Sequence, residues 1–302
     1  MKRELKFLHV GHHKCGSTFL QYEVIPKIEA LRQPAGKKAD GQSNIDFRRA
    51  WIALASQGPG GYDAQWVKTQ FYAQEYNCIS NEAFVGFGAA ASASGMSIEV
   101  AANRLHDLFG DTNVLIVIRN QKSVLKSMFL DDIEYGHICR FDDWFEDRLF
   151  HFQLDWFLYS YLIETYQKIF GKDRVKVLMF EGLFNSETLA SLLDDFDVPS
   201  KGLENVNFSR TVNPGLGRIA ASASRLIFQF CGTRANSGNG ILYRKWLSSM
   251  VPILNACDRH ISGGGKEIGF NGYEQALTNL YGKDNDRVAE LTGLPLKQYG
   301  YP

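Results

Sequence analysis

The first chemically distinctive segment lies near the amino end, where glycines, a lysine and two hydroxyl side chains fall within the eight residues 11–18, GHHKCGST. An apolar run precedes it, and a helical pattern follows. At the start of a helix, unpaired backbone N–H groups and the positive end of the helix dipole can hold a phosphate. The segment therefore predicts an anion-binding loop formed by Lys14, Cys15, Gly16, Ser17 and Thr18.

The position of the lysine sets this loop apart from the loop of ATP- and GTP-binding proteins. In the pattern GxxxxGK[ST], the lysine directly follows the second glycine. Here Ser17 occupies that place, and Lys14 lies two residues before Gly16. The lysine is thus expected to approach a phosphate from the other side of the loop. A kinase or other phosphotransferase with a variant loop remains the alternative.

A second candidate anion site follows the apolar run 113–118, which predicts a buried strand. Arg119 stands at the carboxyl end of this run, and Ser127 follows eight residues later, after about two turns of a predicted helix. Arginine offers a planar fork of donors to a phosphate. We expect the guanidinium of Arg119 and the hydroxyl of Ser127 to converge on one phosphate.

Together these motifs resemble those of sulfotransferases that use 3′-phosphoadenosine 5′-phosphosulfate (PAPS). Segment 11–18 is similar to the family's 5′-phosphosulfate loop, and segment 117–127 is similar to its 3′-phosphate motif. Three weaker similarities lie at 80–82, at 174–183, and at 281–291 with 299–302. The resemblance implies PAPS as donor, adenosine 3′,5′-bisphosphate as product and no divalent metal. It also implies that Lys14 binds the 5′-phosphate, and that Arg119 and Ser127 hold the 3′-phosphate.

Sulfuryl transfer also needs a base for the proton of the acceptor. Glu82 is the leading candidate because it follows a predicted strand, which would bring it to the sheet edge that carries the loop. Members of the family use either glutamate or histidine. His13 is the second catalytic candidate, and its neighbour His12 could also touch donor or acceptor; the alternative is that these histidines only fill the loop. For Glu82 the alternative is a capping or surface residue.

The elements that must position these residues alternate between strand and helix. Strands are predicted at 5–10, 77–80, 113–118 and 174–180, and helices at 17–31, 47–55, 98–109, from 121, across the aromatic segment 141–170, and at 273–291. Glycine-rich loops are expected at 33–44, 56–63 and 86–95, and the chain beyond 212 is expected to be mostly helical. The pattern predicts an α/β fold with three α/β/α layers and a mainly parallel central sheet. The resemblance implies the P-loop NTPase-like sulfotransferase fold, in a single domain over 1–302.

Composition narrows the functional classes. Lys plus Arg and Asp plus Glu each number 33, so no global field favours nucleic acid or an anionic membrane. The five cysteines are scattered without a CxxC pair, which indicates neither a disulfide framework nor a zinc site and fits the cytoplasm. We expect no metal, targeting segment or membrane span. The oligomeric state and the acceptor are not readable; a carbohydrate or small natural product is favoured.

Two further alternatives remain. Cys15 lies where a helix start would stabilise a thiolate, as in a cysteine-dependent phosphatase. The expected arginine six residues later is replaced by Gln21. A non-catalytic nucleotide-binding protein on the same fold is the other alternative.

Overall fold

The computed structural model describes residues 5–34, 45–56, 61–73, 75–85, 98–134, 136–151, 153–209, 218–228, 270 and 272–302. The strands are β1 (Phe7–Gly11), β2 (Cys78–Asn81), β3 (Val114–Ile118) and β4 (Val175–Met179). The α-helices are α1 (Ser17–Phe19), α2 (Ile45–Ser56), α3 (Ala64–Tyr72), α4 (Ile98–Phe109), α5 (Gln121–Glu134), α6 (Phe141–Phe150), α7 (Tyr159–Phe170), α8 (Ser186–Asp195), α9 (Arg218–Phe228) and α10 (Glu274–Thr292).

The four strands form one parallel sheet in the order β2-β1-β3-β4. Each residue of β3 is at most 1% exposed, so helices cover both faces of the sheet. On one face, the ring of Phe7 stacks on Phe196, which follows α8, at 5.4 Å. Helix α7 packs against β3 and β4. The predicted α/β class with a mainly parallel central sheet is confirmed.

The helix after β1 is shorter than the sequence pattern predicts. It begins as α1 and continues as a π-helix over Leu20–Val24, and turns follow instead of helix to residue 31. Pro26 follows this end and lacks the N–H that a continuing helix needs, although Ile25 before it still has helical backbone angles.

The aromatic segment 141–170 is not the single helix that we expected. Helix α6 ends at Phe150, a 3₁₀ segment spans Gln153–Phe157, and α7 begins at Tyr159. The start of α7 is fixed by a residue distant in sequence: the carboxylate of Asp284 accepts hydrogen bonds from the backbone N–H groups of Tyr159, at 2.7 Å, and Ser160, at 3.3 Å. This cap satisfies N–H groups that a helix start leaves unpaired.

Contacts between residues divide the chain into two compact units. The first unit comprises Met1–Asn120, Asp155–Val212 and Leu280–Tyr301, and it contains the whole sheet. The second comprises Gln121–Leu154 and Asn213–Asn279 with Pro302, and has an aromatic cluster of its own. The members of this cluster are Phe129, Phe141, Trp144, Phe145, Phe270 and Tyr273. A single domain over 1–302 stays a prediction.

Several predicted segments lie outside the described residues: most of the loop 33–44, part of the loop 56–63, the run 86–95 and much of the chain beyond 212. Cys231 and Cys257 belong to this group, whereas Cys15, Cys78 and Cys139 are described and form no disulfide. None of the helices in the described ranges is long and apolar enough to cross a bilayer. The cytoplasmic location stays a prediction.

Candidate active site

The topology of the sheet marks the place where a ligand would bind. From β1 the chain passes to β2 on one side and later to β3 on the other, so the strand order reverses between β1 and β3. In open α/β sheets, ligands bind outside the carboxyl ends of the strands at this reversal. The loop that starts after Gly11 and the residue Arg119 follow these two strand ends. The two predicted anion-binding motifs thus begin at one point of the sheet.

The loop has the backbone conformation of an anion cradle. Lys14 and Gly16 both have positive φ, 66° and 89°. Left-handed residues alternating with ordinary ones turn successive N–H groups toward one concave side. At Gly16 only glycine fits, because a Cβ atom would collide with Leu183 Cδ1 and lie 3.1 Å from a ring carbon of Phe180. Helix α1 begins at Ser17, so the first-turn N–H groups of the helix adjoin the cradle.

Arg119 contacts the loop directly. Its Nη1 donates a hydrogen bond to the carbonyl oxygen of Lys14 at 2.7 Å, and its guanidinium lies 4.1 Å from the ring centre of Phe180. Its Nε atom is buried and has no hydrogen-bond partner among the described residues. The hydroxyl of Tyr159 donates to the carbonyl oxygen of Arg119 at 2.6 Å. This contact with the loop was not expected from the sequence, which assigned Arg119 to a separate phosphate.

Cys15 is unsuited to nucleophilic chemistry. Its side chain is 1% exposed, and burial raises the pKa of the thiol to about 12, although the nearby charge of Arg119 acts in the opposite direction. A thiol with such a pKa stays protonated at neutral pH and is a weak nucleophile. The arrangement therefore disfavours the cysteine-dependent phosphatase.

The two loop histidines have opposite environments. His12 is fully buried beside the rings of Trp156, Phe157 and Tyr159, at 5.2–5.5 Å between ring centres. Burial, with a smaller contribution from the charge of His13, lowers the pKa of His12 to about 3, so this imidazole is neutral. His13 is exposed and accessible to a substrate. Its catalytic role stays a prediction.

Glu82 lies at the carboxyl edge of the sheet, as predicted. It directly follows β2, whose last residue Asn81 pairs in register with Val10 of β1. This register brings Glu82 beside the start of the loop. The side chain is half-buried, so it can meet solvent or an acceptor.

The remaining predicted ligands are distributed over both units. Ser17 is 3% exposed at the start of α1, and Thr18 is half-buried beside it. Ser127 lies half-buried on α5, which belongs to the second unit. Its convergence with Arg119 on one phosphate stays a prediction. Within the ranges that the structure describes, no three His, Cys, Asp or Glu side chains are grouped to hold a metal ion.

Sequence reasoning missed a partly buried polar cluster beside the loop, formed by His9, Ser80 and Gln21. The Nδ1 atom of His9 lies 2.7 Å from Ser80 Oγ. The Nε2 of Gln21 donates to the carbonyl oxygen and to the Oγ of Ser80, at 3.1 and 3.2 Å. One feature of the sequence could have indicated Gln21: it lies four residues after Ser17 and so on the same face of the predicted helix.

A second contact that the sequence did not predict involves the chain near residue 300. The side-chain amide of Asn120 donates to the carbonyl oxygen of Tyr299 at 3.1 Å. The hydroxyl of Tyr301 donates to Glu181 Oε2 at 3.4 Å, and burial, followed by the charge of Glu181, raises the pKa of this tyrosine. This segment therefore packs beside the strand ends that carry the site.

Three solved structures are among those to which this chain is similar. A sulfotransferase from Alicyclobacillus acidocaldarius matches with a TM-score of 0.45 and 18% identity, over 85% of this chain and 96% of its own. Mouse sulfotransferase SULT7A1 complexed with PAP matches with a TM-score of 0.46 and 11% identity, over 98% of this chain and 88% of its own. The sulfotransferase domain from the curacin biosynthetic pathway matches with a TM-score of 0.37 and 11% identity, over 85% of this chain and 98% of its own. No protein-family model and no curated protein matches. Because TM-scores below 0.5 do not establish a common fold, any assignment of function depends on the residues of the loop and its surroundings.

Proposed function

We propose that this protein is a sulfotransferase that moves a sulfuryl group from PAPS to a hydroxyl or amine of an acceptor. The observation that carries the proposal is the conformation of the loop: Lys14 and Gly16 with positive φ at the reversal point of a parallel sheet, directly before a helix start. A lysine at this position, rather than at position 17, favours a phosphosulfate over a nucleoside triphosphate through the resemblance described above.

The reaction would be an in-line displacement. The acceptor oxygen or nitrogen attacks sulfur, the bond from sulfur to the 5′-phosphate oxygen breaks, and the electron pair leaves with adenosine 3′,5′-bisphosphate. Negative charge thereby grows on the 5′-phosphate. Donors that face this charge stabilise the transition state more than the ground state. Lys14 is the proposed donor, together with the backbone N–H groups of Gly16, Ser17 and Thr18.

The acceptor loses one proton, which Glu82 is proposed to take. Its position after β2, with a half-buried carboxylate near the loop, supports this role. A base so placed typically contributes about a hundredfold to ten-thousandfold. His13 is the second candidate because it is exposed on the loop. The buried, neutral His12 is less suitable.

Arg119 and Ser127 are the proposed ligands of the 3′-phosphate. A guanidinium has five N–H donors. The described hydrogen bonds of Arg119 use its Nη1 on the Lys14 carbonyl, which leaves further donors for a phosphate. A carbohydrate or a small natural product is the favoured acceptor, and a phosphotransferase with a variant loop is the alternative function.

Transfer from PAPS carrying a radiolabelled sulfuryl group tests this function. We expect labelled product from wild type with one or more members of a panel of sugars, phenols and amines. The Lys14→Ala variant is expected to lose about a hundredfold to a thousandfold in turnover. Lys201→Ala, which removes an exposed lysine paired with Glu29 at 2.9 Å, is the control and should keep the wild-type rate. Equal rates for Lys14→Ala and wild type would exclude the proposed role.

A further inference from the structure

The cluster of His9, Ser80 and Gln21 connects the two elements that carry the proposed chemistry. His9 lies in the middle of β1, directly before the loop, and pairs in register with Ser80 on β2. Ser80 precedes Glu82 by two residues. Gln21 lies on the helix that begins at the end of the loop. The three side chains therefore join the phosphate loop, its helix and the strand that leads to the proposed base.

The side chains of the cluster contact one another through Ser80 Oγ. The Nε2 of Gln21 can only donate, so Ser80 Oγ is an acceptor for it. Ser80 Oγ keeps a second lone pair and its own hydrogen, so the 2.7 Å contact forms either with His9 Nδ1 as acceptor or with Nδ1–H as donor. Burial lowers the pKa of His9 to about 4 despite the opposing charge of Glu82, in keeping with a neutral imidazole. At physiological pH the ring is thus neutral, and its Nε2 is buried without a hydrogen-bond partner among the described residues.

Burial makes the loss of a partner in this cluster costly. His9 is fully buried, Ser80 is 9% exposed and Gln21 is half-buried. In a water-poor environment a missing partner is not replaced by solvent, so each bond restricts the geometry of the others. The loop is held separately, by the bond from Arg119 to the Lys14 carbonyl. Loss of the cluster would therefore displace the turn that carries Glu82 while the phosphate cradle stays formed.

We propose that His9, Ser80 and Gln21 act as positioning residues that fix the Glu82 turn against the phosphate loop. This inference rests on the proposed function. None of the three touches substrate in this role; they act through the placement of Glu82. The signature of such a role is a loss of turnover with little change in the affinity for PAPS, because a small displacement of a catalytic group lowers the rate of the chemical step.

The kinetic test uses Ser80→Ala and Gln21→Met, singly and together. We expect each single variant to lose about tenfold in kcat with the KM for PAPS unchanged within about twofold. The double variant is expected to be no worse than either single variant, because both remove one connected network. Ser80→Thr keeps the hydroxyl and should restore most of the rate. Additive losses, or losses confined to KM, would overturn the proposal.

The control is Thr112→Val, which removes another buried hydroxyl. The Oγ1 of Thr112 donates to the carbonyl oxygen of Leu5 at 3.1 Å, before β3 and away from the strand ends that carry the site. Thr112 is 4% exposed, so the two hydroxyls are similarly buried. We expect Thr112→Val to keep the wild-type kcat. A tenfold loss in this variant as well would show that any buried hydroxyl matters equally, and would contradict a specific role for the cluster.

Two measurements that do not depend on activity separate this inference from the proposed function. Nitrogen-15 NMR of the histidine rings should show a neutral His9 ring, and Ser80→Ala should shift its Nδ1 resonance. Hydrogen exchange of the amides in Glu82–Val85 should accelerate about tenfold in Ser80→Ala and not in Thr112→Val. Unchanged ring signals and exchange would overturn the inference whatever the activity. Absence of transfer by wild type, with these two results obtained, would overturn the proposed function alone.

Discussion

Acidification is expected to destabilise this protein through two buried histidines. His9 and His12 are fully buried, and burial lowers their pKa values from 6.5 to about 4 and about 3. Below pH 6.5 the unfolded chain binds a proton on each ring, whereas the folded chain does not until the pH reaches the lowered value. The unfolded state then binds more protons, so the free energy of unfolding falls as the pH falls.

The size of this loss follows from the two pKa values. At about pH 5, which is about 1.5 units below the unfolded pKa, each ring contributes a loss of about 2 kcal/mol, because one unit corresponds to about 1.4 kcal/mol. The two together remove about 4 kcal/mol, a large part of the roughly 5–15 kcal/mol that stabilises a typical protein. Asp284 acts in the opposite direction, because burial raises the pKa of its carboxyl, but this effect cancels when a histidine variant is compared with wild type.

Urea unfolding followed by tryptophan fluorescence, at about pH 7.5 and about pH 5, measures this loss. The informative variant is His12→Phe, because neither ring nitrogen of His12 has a hydrogen-bond partner among the described residues. Phenylalanine replaces the titrating imidazole without removing a described hydrogen bond. About half of the wild-type fall in the free energy of unfolding between the two pH values should therefore disappear. His13→Phe, on the exposed neighbour, is the control for a new ring in the loop. Wild-type stability that is flat over this range, or a His12→Phe variant that keeps the full loss, would refute the reasoning.

The remaining predictions concern the phosphate sites. Gly16→Ala should lower the free energy of unfolding by about 1–3 kcal/mol in urea titrations and abolish nucleotide binding, because its Cβ would collide with Leu183 at a positive φ; a stable, binding-competent variant would contradict this geometry. By calorimetry, Arg119→Ala should weaken the binding of adenosine 5′-monophosphate by about 1 kcal/mol, because the bond to the Lys14 carbonyl is lost. The binding of adenosine 3′,5′-bisphosphate should weaken by about 2 kcal/mol more. Equal losses would assign Arg119 to the loop alone. Glu82→Gln should keep the nucleotide affinity and lower turnover about a hundredfold or more; an unaltered rate would remove it as the base.

The sequence could predict the sheet and the place of the site because both depend on local patterns. The apolar runs that became β1, β3 and β4 are short and bounded by polar residues, so their ends were predicted within two residues. The order in which these strands pair then brings Glu82 and Arg119 to the edge that carries the loop. The strand ends predicted from the sequence and the observed strand order thus place the site at the same edge of the sheet.

The contacts within the site could not be predicted in the same way, because they join residues distant in sequence. The bond from Ser80 to His9 depends on the register of β1 against β2, which no local pattern specifies. The start of α7 depends on a cap from Asp284 on α10, which lies far along the chain.

The most direct test of the central claim is calorimetry with adenosine 3′,5′-bisphosphate against adenosine 5′-monophosphate and against ATP with magnesium. Wild type is expected to bind the bisphosphate at least about tenfold more tightly than either competitor, a difference of about 1.4 kcal/mol or more. Lys14→Ala should weaken the binding of all three nucleotides, because each presents a 5′-phosphate to the loop. Preferential binding of ATP with magnesium would contradict a PAPS site and support the phosphotransferase instead.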